Sequence, residues 1–241
     1  MSWAYNIYRE QLMRPQWYAT LINPFYIARK RLLIDLTPFF KKMTGRVLDF
    51  GCGAMPYRNS FTCKEYIGTD VYVSGHDHSN DKIDVYYDGK TLPFPDNSFD
   101  QLFTSQVFEH IENLDDILKE LHRVLKPQGL ILISVPFCWD EHEVPYDFAR
   151  YTSYGILSKL KKAGYEIESL KKSGNFIESI AQLWGIYVFS FVSEKKAAVQ
   201  ILTTFFVIAP VTLLGLLLAK LLPNKDSFYL NNIVLARKRF Q

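Results

Sequence analysis

Short apolar runs separated by polar turns govern the chain from about Arg46 to Leu170. The runs at Arg46–Phe50, Tyr66–Thr69, Ile83–Tyr87, Phe99–Thr104, Leu130–Val135 and Tyr165–Leu170 predict strands. A helical period appears at Leu114, Ile117, Leu118, Leu121 and Leu125, with Asn113 as its expected N-cap and Pro127 and Gly129 as its stop. A second helix is expected from the cap Thr152 through Ile156, Leu157 and Leu160 to Gly164, and a final strand over Phe228–Leu235. Strands alternating with helices imply an α/β fold, a mostly parallel sheet with helices on both faces.

The flanks read differently. Residues 1–43 carry Trp3, Tyr5, Tyr8, Trp17, Tyr18, Phe25, Tyr26, Phe39 and Phe40, cut into short pieces by Pro15, Pro24 and Pro38. They predict short helices forming a cover over the main body, or a lid. Residues 176–225 interrupt the α/β pattern between the sixth and seventh strands. Phe176–Val192 is largely apolar, Ser193-Glu194-Lys195-Lys196 breaks it, and Ala197–Ala219 is 23 residues without a charge. The second stretch passes the length test for a membrane span. Both of its ends return to the same α/β domain, 44–175 and 226–241, so a helical hairpin is expected. Two full crossings would put Lys195 and Lys196 on the far side, against the positive-inside tendency. A hairpin lying along a membrane surface or dipping into one leaflet, with Lys and Arg at the headgroups, is the preferred reading. A soluble cover or a homodimer interface is the alternative.

Length and composition narrow the class. The chain has 241 residues, enough for one domain with an appendage, and its 48% hydrophobic and 22% charged residues exclude a disordered or collagen-like chain. A net charge of +3 gives no broad footprint for nucleic acid. Cys52, Cys63 and Cys138 are too few and too scattered for a disulfide framework, which favours a reducing, intracellular compartment. No secretory-signal pattern is seen at the N-terminus. The expected location is the cytoplasmic side of a membrane, with soluble cytoplasmic protein as the alternative.

Candidate chemistry centres on Val47-Leu48-Asp49-Phe50-Gly51-Cys52-Gly53. A strand delivers an acid and then two glycines, which let a ligand approach the backbone. A dinucleotide fingerprint would need a third glycine where Pro56 stands, and Asp49 suits a cationic ligand end better than a pyrophosphate. Asp70, ending the second strand, can accept hydrogen bonds from both ribose hydroxyls. Asp88-Gly89 can read the edge of adenine. Together they imply an adenine nucleoside with an amino-acid tail and no phosphates.

This loop, Thr69-Asp70, Asp88-Gly89, Leu92-Pro93-Phe94-Pro95-Asp96-Asn97-Ser98-Phe99-Asp100, Val107-Phe108-Glu109-His110 and Leu125-Lys126-Pro127-Gln128-Gly129 follow one another in order. They resemble the motifs of class I S-adenosylmethionine-dependent methyltransferases, in the branch acting on small molecules, lipids and sugars. The resemblance covers about residues 44–173. It implies a Rossmann-like seven-stranded sheet and S-adenosyl-L-methionine as cofactor. It assigns Gly51, Gly53 and Asp49 to the methionine end, Asp70 to the ribose, Asp88 and Gly89 to the adenine, and Gln106 to the neighbourhood of the sulfonium. Met55-Pro56-Tyr57 departs from the usual loop, where a further glycine stands.

The acceptor side is expected after strands four and five. His110 follows strand four. The segment Pro136 to Thr152 is dense in His, acids, Arg and aromatics, and resembles a segment of methyltransferases associated with polysaccharides or glycolipids. His142 is the first candidate for general base and His110 the second, with Glu143, Asp147, Arg150 and Tyr151 as acceptor-binding residues. The rival reading pairs His142, Asp147 and Arg150 to order the loop. No metal is assigned: His76 and His78 lie in a Gly/Ser/Asn-rich stretch read as a solvated turn. The expected activity is methyl transfer to a small or amphipathic acceptor, such as a glycolipid, polysaccharide precursor or polyprenyl compound. The alternatives are methylation of a soluble metabolite, or a membrane-associated module that binds cofactor without turnover.

Overall fold

The computed structural model describes residue 8 and residues 10–72 and 82–239. Trp3, Tyr5 and the His76/His78 stretch lie outside them. Two compact units make up the chain. One comprises residues up to Asp35, Cys138–Asp140 and Lys172–Asn231, and the other Leu36–Phe137, Glu141–Lys171 and Asn232 onward.

The second unit is built on a seven-stranded sheet. Its strands are β1 (Arg46–Phe50), β2 (Glu65–Val71), β3 (Val85–Tyr87), β4 (Phe99–Ser105), β5 (Leu125–Pro136), β6 (Tyr165–Ser173) and β7 (Asn231–Lys238). Their order is β3-β2-β1-β4-β5-β7-β6. β1 pairs in parallel with β2 and β4, β2 with β3, and β4 with β5. An antiparallel hairpin completes the mostly parallel sheet. Central β1 is buried from Val47 to Phe50, as a strand covered on both faces must be. The chain reverses direction across the sheet where β1 meets β4, and ligands of open α/β sheets sit at that crevice.

Helix α1 (Tyr26–Phe40) precedes the sheet, while α2 (Leu114–Val124) and α3 (Ser153–Lys162) connect its strands. α2 buries Leu114, Ile117, Leu118, Leu121 and Val124, one stripe at helical spacing. Thr152 caps α3 as expected, its Oγ1 accepting from the Gly155 N–H at 3.0 Å. Asn113 does not cap α2: its Nδ2 donates to Asp116 Oδ2 at 2.5 Å. Asp115 and Asp116 supply negative charge to that first turn instead.

Two boundaries depart from the sequence reading. α2 ends at Val124, and β5 already begins at Leu125, opposite Phe99. The register then jumps, with Gln101 opposite Leu130, so Lys126–Gly129 bulge out of the ladder. A Cβ at Gly129 would stand 2.5 Å from Leu125 Cδ1 and 2.7 Å from the Asp100 carbonyl oxygen, which requires glycine there. β7 begins at Asn231 and runs through the basic tail to Lys238. Lys238 is buried, its Nζ donating to the carbonyls of His122 and Leu125 at 2.7 Å and to Asn97 Oδ1 at 3.0 Å. It thereby satisfies the end of α2. Lys238→Ala is expected to lower the unfolding free energy by about 2 kcal/mol, the scale of a charged hydrogen-bonding group. A denaturant midpoint equal to the parent's would refute this.

In the first unit, α4 (Phe176–Ser190), α5 (Ala197–Thr203), a π turn (Thr204–Ile208) and α6 (Ala209–Leu221) form the apolar insert. Asn175 and Glu178 make a reciprocal capping box at the start of α4. The same Glu178 pairs with Arg31, and Gln182 accepts from the Ala28 N–H at 3.0 Å and donates to the Pro24 carbonyl at 2.9 Å. α6 closes on α4 where a Cβ at Gly215 would meet Ala181 Cβ at 2.4 Å. The N-terminal segment and the insert, separate in the sequence reading, thus share one unit.

Candidate active site

The cofactor candidates gather at the carboxyl ends of β1 and β2. The N–H groups of Gly51 and Cys52 both donate to the Thr69 carbonyl, at 2.9 and 3.1 Å, which bends the chain as it leaves β1. Gly51 has φ +69°, and a Cβ there would lie 2.4 Å from Val107 Cγ2, so no other residue fits. Gly53 has φ +44° and faces open space, with nothing within 4 Å of a Cβ position. Its N–H donates to Asp70 Oδ2 at 2.8 Å, while Asp70 Oδ1 accepts from the Val71 N–H at 2.8 Å. Asp70 is therefore aimed at the loop.

Asp49 lies beneath the loop, almost wholly buried. Burial pushes its carboxyl up to about 7, and the negative charge of Asp70 adds to this. The Tyr66 hydroxyl, donating to Asp49 Oδ2 at 2.5 Å, works the other way. Cys52 is buried, and burial with the charge of Asp49 pushes its thiol up, so it is no nucleophile. Asp88 is exposed at the end of β3. Its Oδ1 accepts from the Lys90 and Thr91 N–H groups at 2.8 Å, which holds its carboxyl below the usual range. Gly89 follows at φ +81°. Gln106 takes φ +59°, unusual for a residue with a side chain, and its Nε2 donates to Ser134 Oγ at 3.2 Å.

After β4 comes the acceptor side. Val107 packs over Gly51, and His110 follows three residues later in a short 3-10 turn, Phe108–His110. Glu109 is 0% exposed, and neither of its carboxylate oxygens has a hydrogen-bond partner among the described residues. Burial pushes its carboxyl up to about 8. Its carbonyl accepts from the Phe148 and Ala149 N–H groups at 2.8 and 3.2 Å, tying the β4 turn to the segment after β5.

That segment brings His142 to His110, the rings meeting edge to face with centroids 4.7 Å apart. His110 Nδ1 lies 2.7 Å from the Tyr146 carbonyl, so Nδ1 carries the proton and Nε2 is the basic nitrogen of the neutral ring. Nε2 stands 3.9 Å from Glu109 Oε1 and 4.0 Å from Glu143 Oε2. His142 Nδ1 stands 3.3 Å from Asp147 Oδ2, which also accepts the His142 N–H at 2.9 Å. Arg150 forks onto Asp147 at 2.6 and 2.7 Å. Burial works to raise the Asp147 carboxyl, but Arg150 and the His142 N–H outweigh it and hold it at about 2. The loop-ordering triad weighed from sequence is thus present, around the residue also favoured as base. Tyr151 is buried in the core, its N–H on the Pro136 carbonyl at 3.1 Å and its carbonyl accepting from Asn232 Nδ2 at 2.7 Å. Sequence reasoning missed the isolation of the Glu109 carboxyl. Its only signal was an acid directly before His110 at the end of a buried strand.

Comparison with known proteins agrees with this geometry. Residues 48–133 match a family described as Methyltransferase domain. The ubiquinone/menaquinone biosynthesis C-methyltransferase UbiE of Pseudoalteromonas translucida is 34% identical over 79 residues, 32% of this chain and 31% of the relative. A sterol 24-C-methyltransferase of Yarrowia lipolytica is 30% identical over 178 residues, 66% of this chain and 45% of the relative. The chain therefore spans less than half the length of each of these two. The crystal structure of the [4+2]-cyclase SpnF superposes with TM-score 0.56 at 20% identity, covering 88% of this chain and 82% of that one, a likeness of fold. The matched segment begins in β1 and ends in β5, so it holds the bent glycine loop, Asp70 and the β4 turn, on a sheet whose strand order reverses where they meet. On these grounds residues 48–133 carry a methyltransferase domain, on the Rossmann-like sheet of the class I S-adenosylmethionine-dependent methyltransferase fold.

Proposed function

We propose that this chain transfers the methyl group of S-adenosylmethionine to an amphipathic small molecule at a membrane surface, such as a glycolipid, a polysaccharide precursor or a polyprenyl compound. The exposed apolar face of the insert carries this reading. α4 buries Glu178, Ser179 and Gln182 along with Ala181, Gly185 and Ile186, and presents Ile180, Trp184 and Tyr187 outward, with Phe191 just past its end; the last three are 41%, 59% and 65% exposed. α6 buries Ala209, Thr212 and Gly215 and presents Leu213, Leu214, Leu217 and Leu221. A water-facing helix pair has the opposite pattern. Ala197–Leu221 forms 25 helical residues that include an 18-residue stretch of mean hydropathy 2.4, flanked by Lys195 and Lys196 and bearing Lys220 near its end. That composition suits lipid tails with basic groups at the headgroups. The two relatives named above are by name a ubiquinone/menaquinone biosynthesis methyltransferase and a sterol methyltransferase, which supports an acceptor of lipid character.

The sulfonium carries an activated methyl, so the protein's main task is to hold an acceptor in line behind it. In this reading Gly51, Gly53 and Asp49 receive the methionine end, Asp70 the ribose, and Asp88 and Gly89 the adenine. Gln106 borders the sulfonium. The acceptor enters beside Glu143, Asp147, Arg150 and Tyr151, and its proton is managed by His142 and His110. The fold also serves a cyclase, so fold alone does not choose the chemistry.

The test uses donor labelled in its methyl group, the full chain, and membrane-lipid and water-soluble extracts, with liposome flotation alongside. Label is expected in the lipid fraction and the protein with the vesicles. Label confined to water-soluble products, with a chain that stays monodisperse without detergent and ignores vesicles, would overturn the acceptor reading.

A further inference from the structure

We infer that Glu109, His110 and His142 form a site for a divalent transition-metal ion beside the methyl donor. Each offers one ligand atom, and the three lie within 4.8 Å of one another. Ligands about 2.1 Å from an ion stand about 3.0–3.5 Å apart, so the cluster needs to close by about 1 Å. Two imidazoles and a carboxylate suit Mn(II), Fe(II), Co(II) or Zn(II), and leave coordination positions open for an outside oxygen.

Three observations converge on this. The first is the Glu109 carboxyl, wholly buried with both oxygens unpartnered. Burying such a group without a hydrogen bond is costly, and Arg150 offsets that cost only in part. A cation among the neighbouring nitrogens would offset the rest. The second is that both rings are held from behind. His110 Nδ1 is engaged by the Tyr146 carbonyl, which leaves Nε2 turned toward Glu109. His142 is steadied by Asp147, itself locked by Arg150. Metal-ligating histidines are oriented by carbonyl and carboxylate partners of this kind. The third is Glu143. Its Oε2 stands 4.0 Å from His110 Nε2, and its backbone takes φ +52°, so a second carboxylate borders the cluster. Arg150 stands nearby, its Nη2 3.4 Å from His142 Nδ1, and it is paired with Asp147.

The use of such an ion rests on the methyltransferase reading above; its binding does not. For a hydroxyl acceptor, the ion would take the oxygen and lower its pKa. The O–H proton leaves to water, the new O–CH3 bond forms as the S–CH3 bond breaks, and the sulfonium becomes a neutral thioether. His110 and His142 then act as ligands rather than as bases.

The experiment is titration of the chelator-treated full chain with Mn(II), followed by electron paramagnetic resonance of the free ion. Co(II) absorption reports histidine coordination. One ion per chain is expected. Glu109→Gln and His110→Gln are each expected to weaken Mn(II) binding at least about tenfold. Thermal unfolding shows which variants remain folded, and His110→Gln, at the edge of the cluster, serves if Glu109→Gln does not fold. Absence of stoichiometric binding, or equal Mn(II) affinity in the parent and a folded variant, overturns the inference. S-adenosylhomocysteine binding by the parent is measured in parallel. Its failure would strike the methyltransferase reading and leave the metal result standing.

Discussion

Asp70→Asn is expected to weaken binding of S-adenosylhomocysteine about 100-fold. In the structure Asp70 already spends one oxygen on the Gly53 N–H and the other on the Val71 N–H. A carboxylate oxygen can accept more than one hydrogen bond, a ribose hydroxyl's among them. Asparagine keeps the shape but turns one acceptor into a donor. It then faces the Gly53 N–H or a hydroxyl with the wrong polarity. A hydrogen bond to a charged group contributes about 1.5–3 kcal/mol, so the loss of two costs about 3 kcal/mol or more. That corresponds to about two orders of magnitude in affinity. Titration calorimetry reads it, with the thermal midpoint as a check that the loop remains folded. A change under about threefold in a folded variant would place the ribose elsewhere.

The affinity for S-adenosylmethionine is expected to rise with pH between about 5.5 and 7 and then level off. The sign follows from Asp49. Without ligand its carboxyl sits at about 7, raised chiefly by burial. A sulfonium or ammonium placed beside it favours the charged form and lowers that value. Below 7 the free protein holds the proton and the complex does not, so binding must release it. Each unit of falling pH then weakens binding by up to about tenfold, until the pKa of the complex is reached. The ligand's own amino group, near 8, titrates above this window. Asp49→Asn is expected to bind more weakly at pH 8 and to lose the slope. A parent profile flat from pH 5.5 to 7, or a variant that keeps the slope, would show that Asp49 does not face the cation.

Both predictions rest on residues that could be named from the linear chain. β1 is readable because a strand buried on both faces must be continuously apolar, and Val47 and Leu48 before Asp49 satisfy that. Gly51 is readable because a left-handed backbone excludes most other residues, and the structure adds that Val107 fills the space a side chain would need. Asn113 was misleading for a physical reason. Asparagine caps helices when its oxygen meets a backbone N–H, yet its amide can turn to a nearby carboxylate such as Asp116 instead. The start of β5 was missed because Pro127 and Gly129 resemble a helix stop. Here they mark a bulge inside a strand.

Local pattern therefore determined the alternation of strands and helices, the glycine loop with its two acids, and the existence of an uncharged insert. These depend on neighbours a few residues apart, where backbone sterics and hydrophobic period act directly. Tertiary structure alone decided the rest. It brought Glu109 and His110, after β4, against His142, after β5, and left the Glu109 carboxyl without a hydrogen-bond partner among the described residues. It placed Lys238 under the end of α2 rather than in a solvated tail. It also turned Glu178 and Gln182 of α4 inward and Trp184 and Tyr187 outward. Pairings and sidedness of that kind are set by which distant surfaces meet, and a linear pattern carries the residues without their partners.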